Sequence, residues 1–331
     1  MLVTKIVSSQ EKAFVDDSIE NFEALDRITA LGGERLSVQL LYSDVGPSYL
    51  AVRPFCDIEV KGELAEYVSL RDVRWVPVDR PVTPKKFDDN YLRTTPGIYP
   101  DILTPLRYGG QMVISRDKLR SVWAEIDIPE NFSGDTTLTF SVYLRSGSVG
   151  DTGEAKFDGE AIATQSVKID VLSASLPEQT LLHTQWFYPD CLASYYRVPA
   201  WSEEHWRIVE AFAGTAAKRG RNVLYTTLLT PALNVLPPFH REKCQLVDVE
   251  VVDGEYKFNF DNVGRWVDMC DRVGIKYFEI SHFYDQHKAS HGATVYAKVG
   301  GEEKMIFGWD TLSEDPEYVR FLRAMIKEFL S

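Results

Sequence analysis

Residues 202–229 read SEEHWRIVEAFAGTAAKRGRNVLYTTLL, an amphipathic helix, a glycine stop and a short apolar strand in direct succession. Ser202 suits an N-cap, because its hydroxyl can accept from an unpaired amide of the first turn. Trp206, Val209 and Phe212 recur at helical spacing, and Gly220 stands where glycine commonly ends a helix. NVLYTTLL is then the strand. After an irregular insertion the unit returns as the helix DNVGRWVDMCDRVG and the strand IKYFEISHF, residues 261–283, and LLHTQWF at 181–187 predicts a further strand ahead of both. Short apolar strands alternating with such helices predict parallel βα units. A last helix is expected over 315–329, with Val319, Leu322, Met325, Ile326 and Phe329 as its apolar stripe. Three such strands fall short of the eight of a closed (β/α)8 barrel, which takes about 250 residues. The second part is therefore expected to be an incomplete (β/α)8-type barrel or a smaller open α/β layer.

Upstream the pattern changes. RLSVQLLY (35–42), LRDVRWVPV (70–78), MVISRDKL (112–119), SVWAEIDIP (121–129), TTLTFSVYLR (136–145) and SVKIDVL (166–172) are β-rich runs. Leu138, Phe140 and Val142 share one face at period two. SGSVGDTGEA (146–155) reads as a connection. Antiparallel sheets packed face to face satisfy this succession, so a β-sandwich is expected over residues 1–173, followed by the α/β segment over 174–331.

The balance of 36 Lys plus Arg against 49 Asp plus Glu gives a net charge of −13 and no basic run that would hold a phosphate backbone, so a nucleic-acid partner is not expected. No stretch reaches the roughly 18–20 apolar residues needed to span a bilayer, and MLVTKIVSSQEKAF lacks a signal-peptide core, so a soluble and by default cytoplasmic chain is expected. Cys56, Cys191, Cys244 and Cys270 are widely spaced without a paired motif, which predicts reduced thiols. No cofactor motif is present: glycine-rich phosphate loops and G-x-S-x-G elbows are both missing from the sequence.

Ligands of parallel βα folds bind beyond the carboxyl ends of the strands. Three exits offer His183, Gln185, Trp186, Tyr188 and Asp190; Thr227, Thr230 and Pro231; and Glu279, Ser281, His282, Tyr284 and Asp285. Trp309 and Asp310 precede the last helix. Aromatic faces with convergent carboxylates and amides suit a polyhydroxylated ligand, whose C–H faces stack while its hydroxyls need directional partners. Glu279 shares a strand face with Tyr277 and Ser281, and serves there either as a ligand contact or in a structural hydrogen bond. His282, His287 and His291, with Asp285 between them, match no standard ligand spacing, so no metal is expected. His205, beside Trp206 in the first turns of a helix, reads as a packing residue.

The strings HTQWFYPDCLASYYRVPAWSEEHW (183–206), LLTP (228–231), QLVDVEVVDGEYKFNFDNVGRWVDMCDRVGIKYFEISHF (245–283) and EEKMIFGWDT (302–311) resemble the catalytic region of glycoside hydrolase family 123 and its uncharacterised relatives. GGERLSVQLLY, TPGIYPDIL and VWAEIDIPENFSGD resemble the sandwich domain that precedes it. The resemblance implies a β-sandwich joined to a barrel, and β-N-acetylgalactosaminidase activity by substrate-assisted catalysis. In that mechanism the 2-acetamido oxygen attacks the anomeric carbon, an aspartate orients the amide and the adjacent glutamate protonates the leaving oxygen. It also implies a glycan partner with a 2-acetamido sugar, and His183, Gln185, Trp186, Asp190, Glu279, His282 and Trp309 near the sugar-binding end. The family's catalytic Asp-Glu pair belongs to a strand after a helix like the last one here, whereas Glu314-Asp315 reads as a helix start. The chain is therefore expected to lack that pair, to be inactive alone, and to act as a hydrolase relative, a carbohydrate binder or one part of a split enzyme that associates at its incomplete barrel edge.

Overall fold

The computed structural model describes residues 1–45, 55–82, 90–106, 111–145, 157, 159–233, 239–286 and 288–331. The connection read at 146–155 and His287 lie outside them. The chain divides into two compact units, Met1–Pro177 and Glu178–Ser331.

The first unit holds strands β1 (Leu2–Ser8), β2 (Arg27–Gly32), β3 (Arg35–Asp44), β4 (Phe55–Lys61), β5 (Val68–Val78), β6 (Gly97–Pro105), β7 (Gln111–Val113), β8 (Arg120–Asp127), β9 (Gly134–Leu144) and β10 (Ala163–Ser175). They form two five-stranded sheets, β1-β3-β8-β5-β6 and β2-β10-β9-β4-β7. Side chains of period two meet between them: Leu36, Val38 and Leu40 from one sheet join Leu138, Phe140, Val142, Val167 and Ile169 from the other in one buried core. β3 is buried on its second face as well, where Leu41 packs with Val7, Ala13, Ile19 and Leu119.

The second unit contains α1 (Pro189–Tyr196), α2 (Glu203–Ala217), β11 (Val223–Thr226), β12 (Asp248–Val252), β13 (Glu255–Asn259), α3 (Asp261–Val273), β14 (Tyr277–Ile280), β15 (Val295–Val299), β16 (Glu302–Phe307) and α4 (Pro316–Phe329). β11 and β14 pair in parallel, and Thr184 adds a single parallel bridge to Val223. The strand expected over 181–187 is thus reduced to one bridge, because the backbone of His183 and the Leu181 carbonyl are held by Asn222 rather than by a ladder. α2 starts as its sequence predicts: the Ser202 hydroxyl accepts from the His205 amide at 3.3 Å. α3 ends in Gly274 at φ 87°, after which Ile275 N–H returns to the Cys270 carbonyl at 2.9 Å.

β11 is buried on both faces. Leu224 packs with Trp206 and Val209 of α2 and Trp266, Met269 and Cys270 of α3. The Trp266 indole donates to the Thr226 hydroxyl at 3.1 Å, so the one polar atom on that indole is satisfied inside the core. Each fully buried aliphatic side chain of this kind contributes about 1.5–3 kcal/mol. The residues between them, Tyr225 on β11 and Glu279 on β14, point away from the helices.

A second sheet has the order β13-β12-β15-β16; its hairpin β12-β13 stands where the sequence reading placed an irregular insertion, and β15-β16 follows the second βα unit. Its hairpins turn at Asp253-Gly254 (φ 51° and 80°) and Gly300-Gly301 (φ 63° and 87°), the left-handed pairs that match the twist of adjoining strands. β12 and β15 pair at only two positions. Beyond them the buried Gln245 side chain fills the gap, donating to the carbonyls of Val247 (2.9 Å) and Tyr296 (2.8 Å) and accepting from the Tyr296 amide (2.8 Å).

α4 covers this sheet through Tyr318, Phe321, Leu322 and Met325. The expected stripe is corrected: Ile326 and Phe329 stay more than a third exposed, while Tyr318 and Phe321 take the buried face. Asp315 caps the helix by accepting from the amides of Glu317 and Tyr318. The Tyr318 hydroxyl donates to the Phe283 carbonyl and accepts from the Ala293 amide. Gly292 lies so close to that ring that a β-carbon would sit 2.8 Å from it.

Gly292→Ala is accordingly expected to destabilise the protein by about 1–3 kcal/mol, the usual cost of overpacking against a rigid ring. Urea denaturation measures it, and an unchanged midpoint would show that the loop can give way without cost.

Candidate active site

The site grows from the face of the parallel strands that the helices leave uncovered. Trp186 follows the Thr184 bridge by two residues and so shares its face. Its indole N–H donates to Glu279 Oε1 at 3.0 Å, and the Thr184 hydroxyl donates to Glu279 Oε2 at 2.6 Å. Each carboxylate oxygen therefore spends one lone pair inside the protein and keeps capacity for another donor. Trp186 is 44% exposed. Beneath it lies buried Tyr225, ring centroids 5.5 Å apart, and His282 stands edge-on at 5.2 Å. The Tyr225 hydroxyl is 3.4 Å from His282 Nδ1. Burial pushes the Tyr225 phenol above its ordinary pKa, so it stays protonated as a donor.

Tyr188 closes the cluster, 5.7 Å from Tyr225. The Arg241 guanidinium lies 4.0 Å over its other side. Arg241 in turn pairs with Asp190, Nε to Oδ2 at 2.9 Å, with both side chains 7% exposed. It also donates to the Leu233 carbonyl at 3.2 Å. Asp190 thus acts on the aromatic floor through Arg241. A buried pair of this kind gains little over apolar packing, but loss of one partner strands the other charge.

The residues expected at the sugar-binding end are only partly brought together. Trp186, Glu279 and His282 meet, with Tyr188 and Tyr225 joining them. His183 and Gln185 instead face α2 and line a groove of about 580 Å³ with Phe187, Ala211 and Phe212. His183 Nδ1 lies 3.2 Å from the Gly220 carbonyl, and Gln185 accepts from Arg221 at 2.7 Å. Trp309 donates to the Phe239 carbonyl at 2.5 Å and sits beside His291. At the middle exit, Thr227 and Thr230 spend their hydroxyls on the backbone of Cys244. Tyr188 was named at the first strand exit, whereas Thr184 and Tyr225 were legible as floor residues only by strand parity, which places Thr184 with Trp186 and Tyr225 opposite Leu224.

His205 is buried behind the site. Its Nδ1 accepts from the Trp201 amide at 2.9 Å and its Nε2–H donates to the Pro189 carbonyl at 2.9 Å, joining α2 to the start of α1. Both bonds fix a neutral ring, and burial pulls its pKa below the ordinary histidine value. Among the described residues no group of three or more His, Cys, Asp and Glu side chains is arranged to hold a metal ion. No helix among them is long and apolar enough to cross a membrane.

Residues 186–331 match the family model described as glycoside hydrolase 123, catalytic domain. Among solved structures, the fold is similar to a family 123 glycoside hydrolase from Clostridium perfringens, described for glycolipid glycan hydrolysis, with a TM-score of 0.68 at 14% identity. That match covers 99% of this chain and 55% of the other, so the chain spans little more than half of that relative. Weaker matches include the N-terminal domain of PorA (TM-score 0.25, 11% identity, 52% of this chain and 100% of that one). Another is the sporulation control protein Spo0M from Bacillus subtilis (0.24, 8%, 59% and 55%). No curated protein sequence matches the chain.

The geometry of His205 sets a pH dependence. Its folded pKa lies below the unfolded value of about 6.5, so the unfolded chain binds more protons between the two. The stability that neutral His205 contributes is fully present above about pH 6.5 and is lost as the pH falls through the folded pKa. Replacement by Asn is expected to flatten the pH 7-to-5 decline in urea-melt stability; an identical decline in the variant would place the linkage elsewhere.

Proposed function

Because this chain belongs to glycoside hydrolase family 123 or its close relatives, we propose that it builds the sugar-binding floor of a glycosidase acting on a glycan with a 2-acetamido sugar. The observation that carries the reading is the half-exposed Trp186 ring locked to Glu279 on the helix-free face of the parallel strands. The ring offers an apolar platform for the C–H face of a pyranose, and the remaining lone pairs of Glu279 accept from sugar hydroxyls. His282 adds polar atoms beside the ring, and buried Tyr225 supports it from below. Asp190 and Arg241 position Tyr188 and touch no sugar.

In the proposed reaction the sugar's own 2-acetamido oxygen attacks the anomeric carbon as the glycosidic bond breaks, an aspartate holds the amide, and a glutamate gives its proton to the leaving oxygen. This sequence has no Asp-Glu pair after residue 177, and in its one Glu-Asp pair there, Glu314-Asp315, the aspartate is the N-cap of α4. The residues present here accordingly supply binding and orientation rather than the proton donor. The open edge beside Thr184 and the apolar groove at Phe187 and Phe212 are where further barrel elements, or a complementary chain, would seat.

Two measurements test this. Titration with N-acetylgalactosamine, followed by Trp fluorescence or NMR, is expected to show saturable binding that falls at least about tenfold in Trp186→Ala, the loss that one stacked ring and its ordering carry. Incubation with an aryl β-N-acetylgalactosaminide is expected to give no turnover above blank. Binding indifferent to Trp186 would sink the floor; turnover abolished by Glu279→Gln would make Glu279 the acid and overturn the division of roles.

A further inference from the structure

The first unit carries a pocket that the sugar floor does not use. It opens where β5, β6 and β8 of one sheet meet β7 of the other, holds about 270 Å³, and is lined by Asp72, Arg74, Trp75, Thr104, Val113 and Arg120. Arg74 and Trp75 are consecutive, so a regular strand would send them to opposite faces. The pairing of β5 with β6 slips between them and their neighbours: Val73 stands opposite Leu103, but Trp75 stands opposite Pro100. This irregularity re-aims the strand and lets both residues border one pocket.

The most buried charge in the pocket is Arg120, whose side chain is only 12% exposed. A guanidinium in such a place is best satisfied fork to fork by a carboxylate. Here both Asp72 oxygens accept from one nitrogen, Nη2, at 3.2 Å each, and Nε is buried without an acceptor. Its other neighbours are neutral. Arg120 Cζ lies 4.8 Å from the centre of the Trp75 ring, and the Tyr42 phenol, which burial keeps protonated, donates to the Val113 carbonyl at 3.4 Å. Half-exposed Arg74 turns to the same carboxylate, Nε to Asp72 Oδ2 at 3.7 Å. Two guanidinium groups therefore share one carboxylate, and the pocket keeps one positive charge in excess within a chain of net charge −13.

We propose that this pocket binds an acidic sugar, a single hexuronate-type ring whose carboxylate is taken by Arg120 and Arg74. Asp72 positions the two guanidinium groups, while Trp75 offers an aromatic surface and Thr104 a hydroxyl to the rest of the ring. A neutral sugar would leave the excess charge unmet, and a phosphate, with its charge of about −1.5 to −2, would exceed it. The volume falls just under the roughly 300–1,000 Å³ of sites that enclose drug-sized ligands, which suits one ring and not an oligosaccharide. Every lining residue belongs to the first unit, so the inference stands independently of the Trp186 floor.

The test titrates the full chain with glucuronate, glucose and acetate at low salt, by calorimetry or NMR. Glucuronate is expected to bind saturably and at least about tenfold more tightly than either of the others, since glucose lacks the charge and acetate the ring. Added salt is expected to weaken it. Arg120→Lys, which keeps a charge for Asp72 but loses the planar fork, and Arg74→Gln are each expected to cut glucuronate affinity about tenfold. A thermal melt separates a lost contact from a lost fold; should Arg120→Lys fail to fold, the half-exposed Arg74 decides. N-acetylgalactosamine in excess is expected not to displace glucuronate, and displacement would move the binding to the floor and overturn the pocket. Glucose that binds as well as glucuronate would overturn the recognition of charge, and acetate that binds as well would overturn the sugar. Glucuronate that does not bind, or that binds both variants as it binds the wild type, would overturn the proposal as a whole.

Discussion

Four residues, Val223–Thr226, constrain everything else in the second unit, because a strand buried on both faces must satisfy two different environments at once. On one side Leu224 and Thr226 are clasped by Trp206, Val209 and Trp266, which fixes where α2 and α3 lie. On the other, Tyr225 is the base on which Trp186 rests. The helix side and the ligand side are therefore not independent: a shift of the strand to improve one would move the other by the same amount.

From that strand the polar architecture builds outward in layers. Thr184 and Trp186 converge on one carboxylate, and the carboxylate orients the indole whose face is open. Behind them Asp190 and Arg241 form a nearly dry pair that clamps Tyr188, and His205 joins two helices through a ring that stays neutral. Burying such groups costs free energy unless they are paired, and here the Asp190 and Arg241 charges face each other while both ring nitrogens of His205 are bonded. The result is an aromatic surface whose rings have little freedom left to lose when a ligand arrives.

How much of this was readable beforehand depended on the range of the signal. Ser202, Gly220, Gly274 and Asp315 announce helix ends through local chemistry, and the βα rhythm follows from them. The alternation in β9 and β10 likewise gives the sandwich. The four-stranded sheet is masked in the sequence by the stronger helical repeat around it, although Asp253-Gly254 and Gly300-Gly301 carry the hairpin signature. The stripe of α4 was misjudged for a different reason: which apolar residues are buried is set by the sheet it meets, not by its own period. The site was legible as strand exits, but the opposed directions of Gln185 and Trp186 emerge only when a single bridge at Thr184 sets the parity.

The pin made by Tyr318 gives the molecule an order in time. Its hydroxyl holds Phe283 from 35 residues away and Ala293 from 25, so the loop beyond β14 is fastened by a side chain made well after it. At a synthesis rate of about 5–20 residues per second, that loop waits roughly 2–7 s on the ribosome after its own residues are joined. The strands that bear Trp186 and Glu279 can pair before then, but the segment from Phe283 to Ala293 is completed by the last helix, after its scaffold has already set.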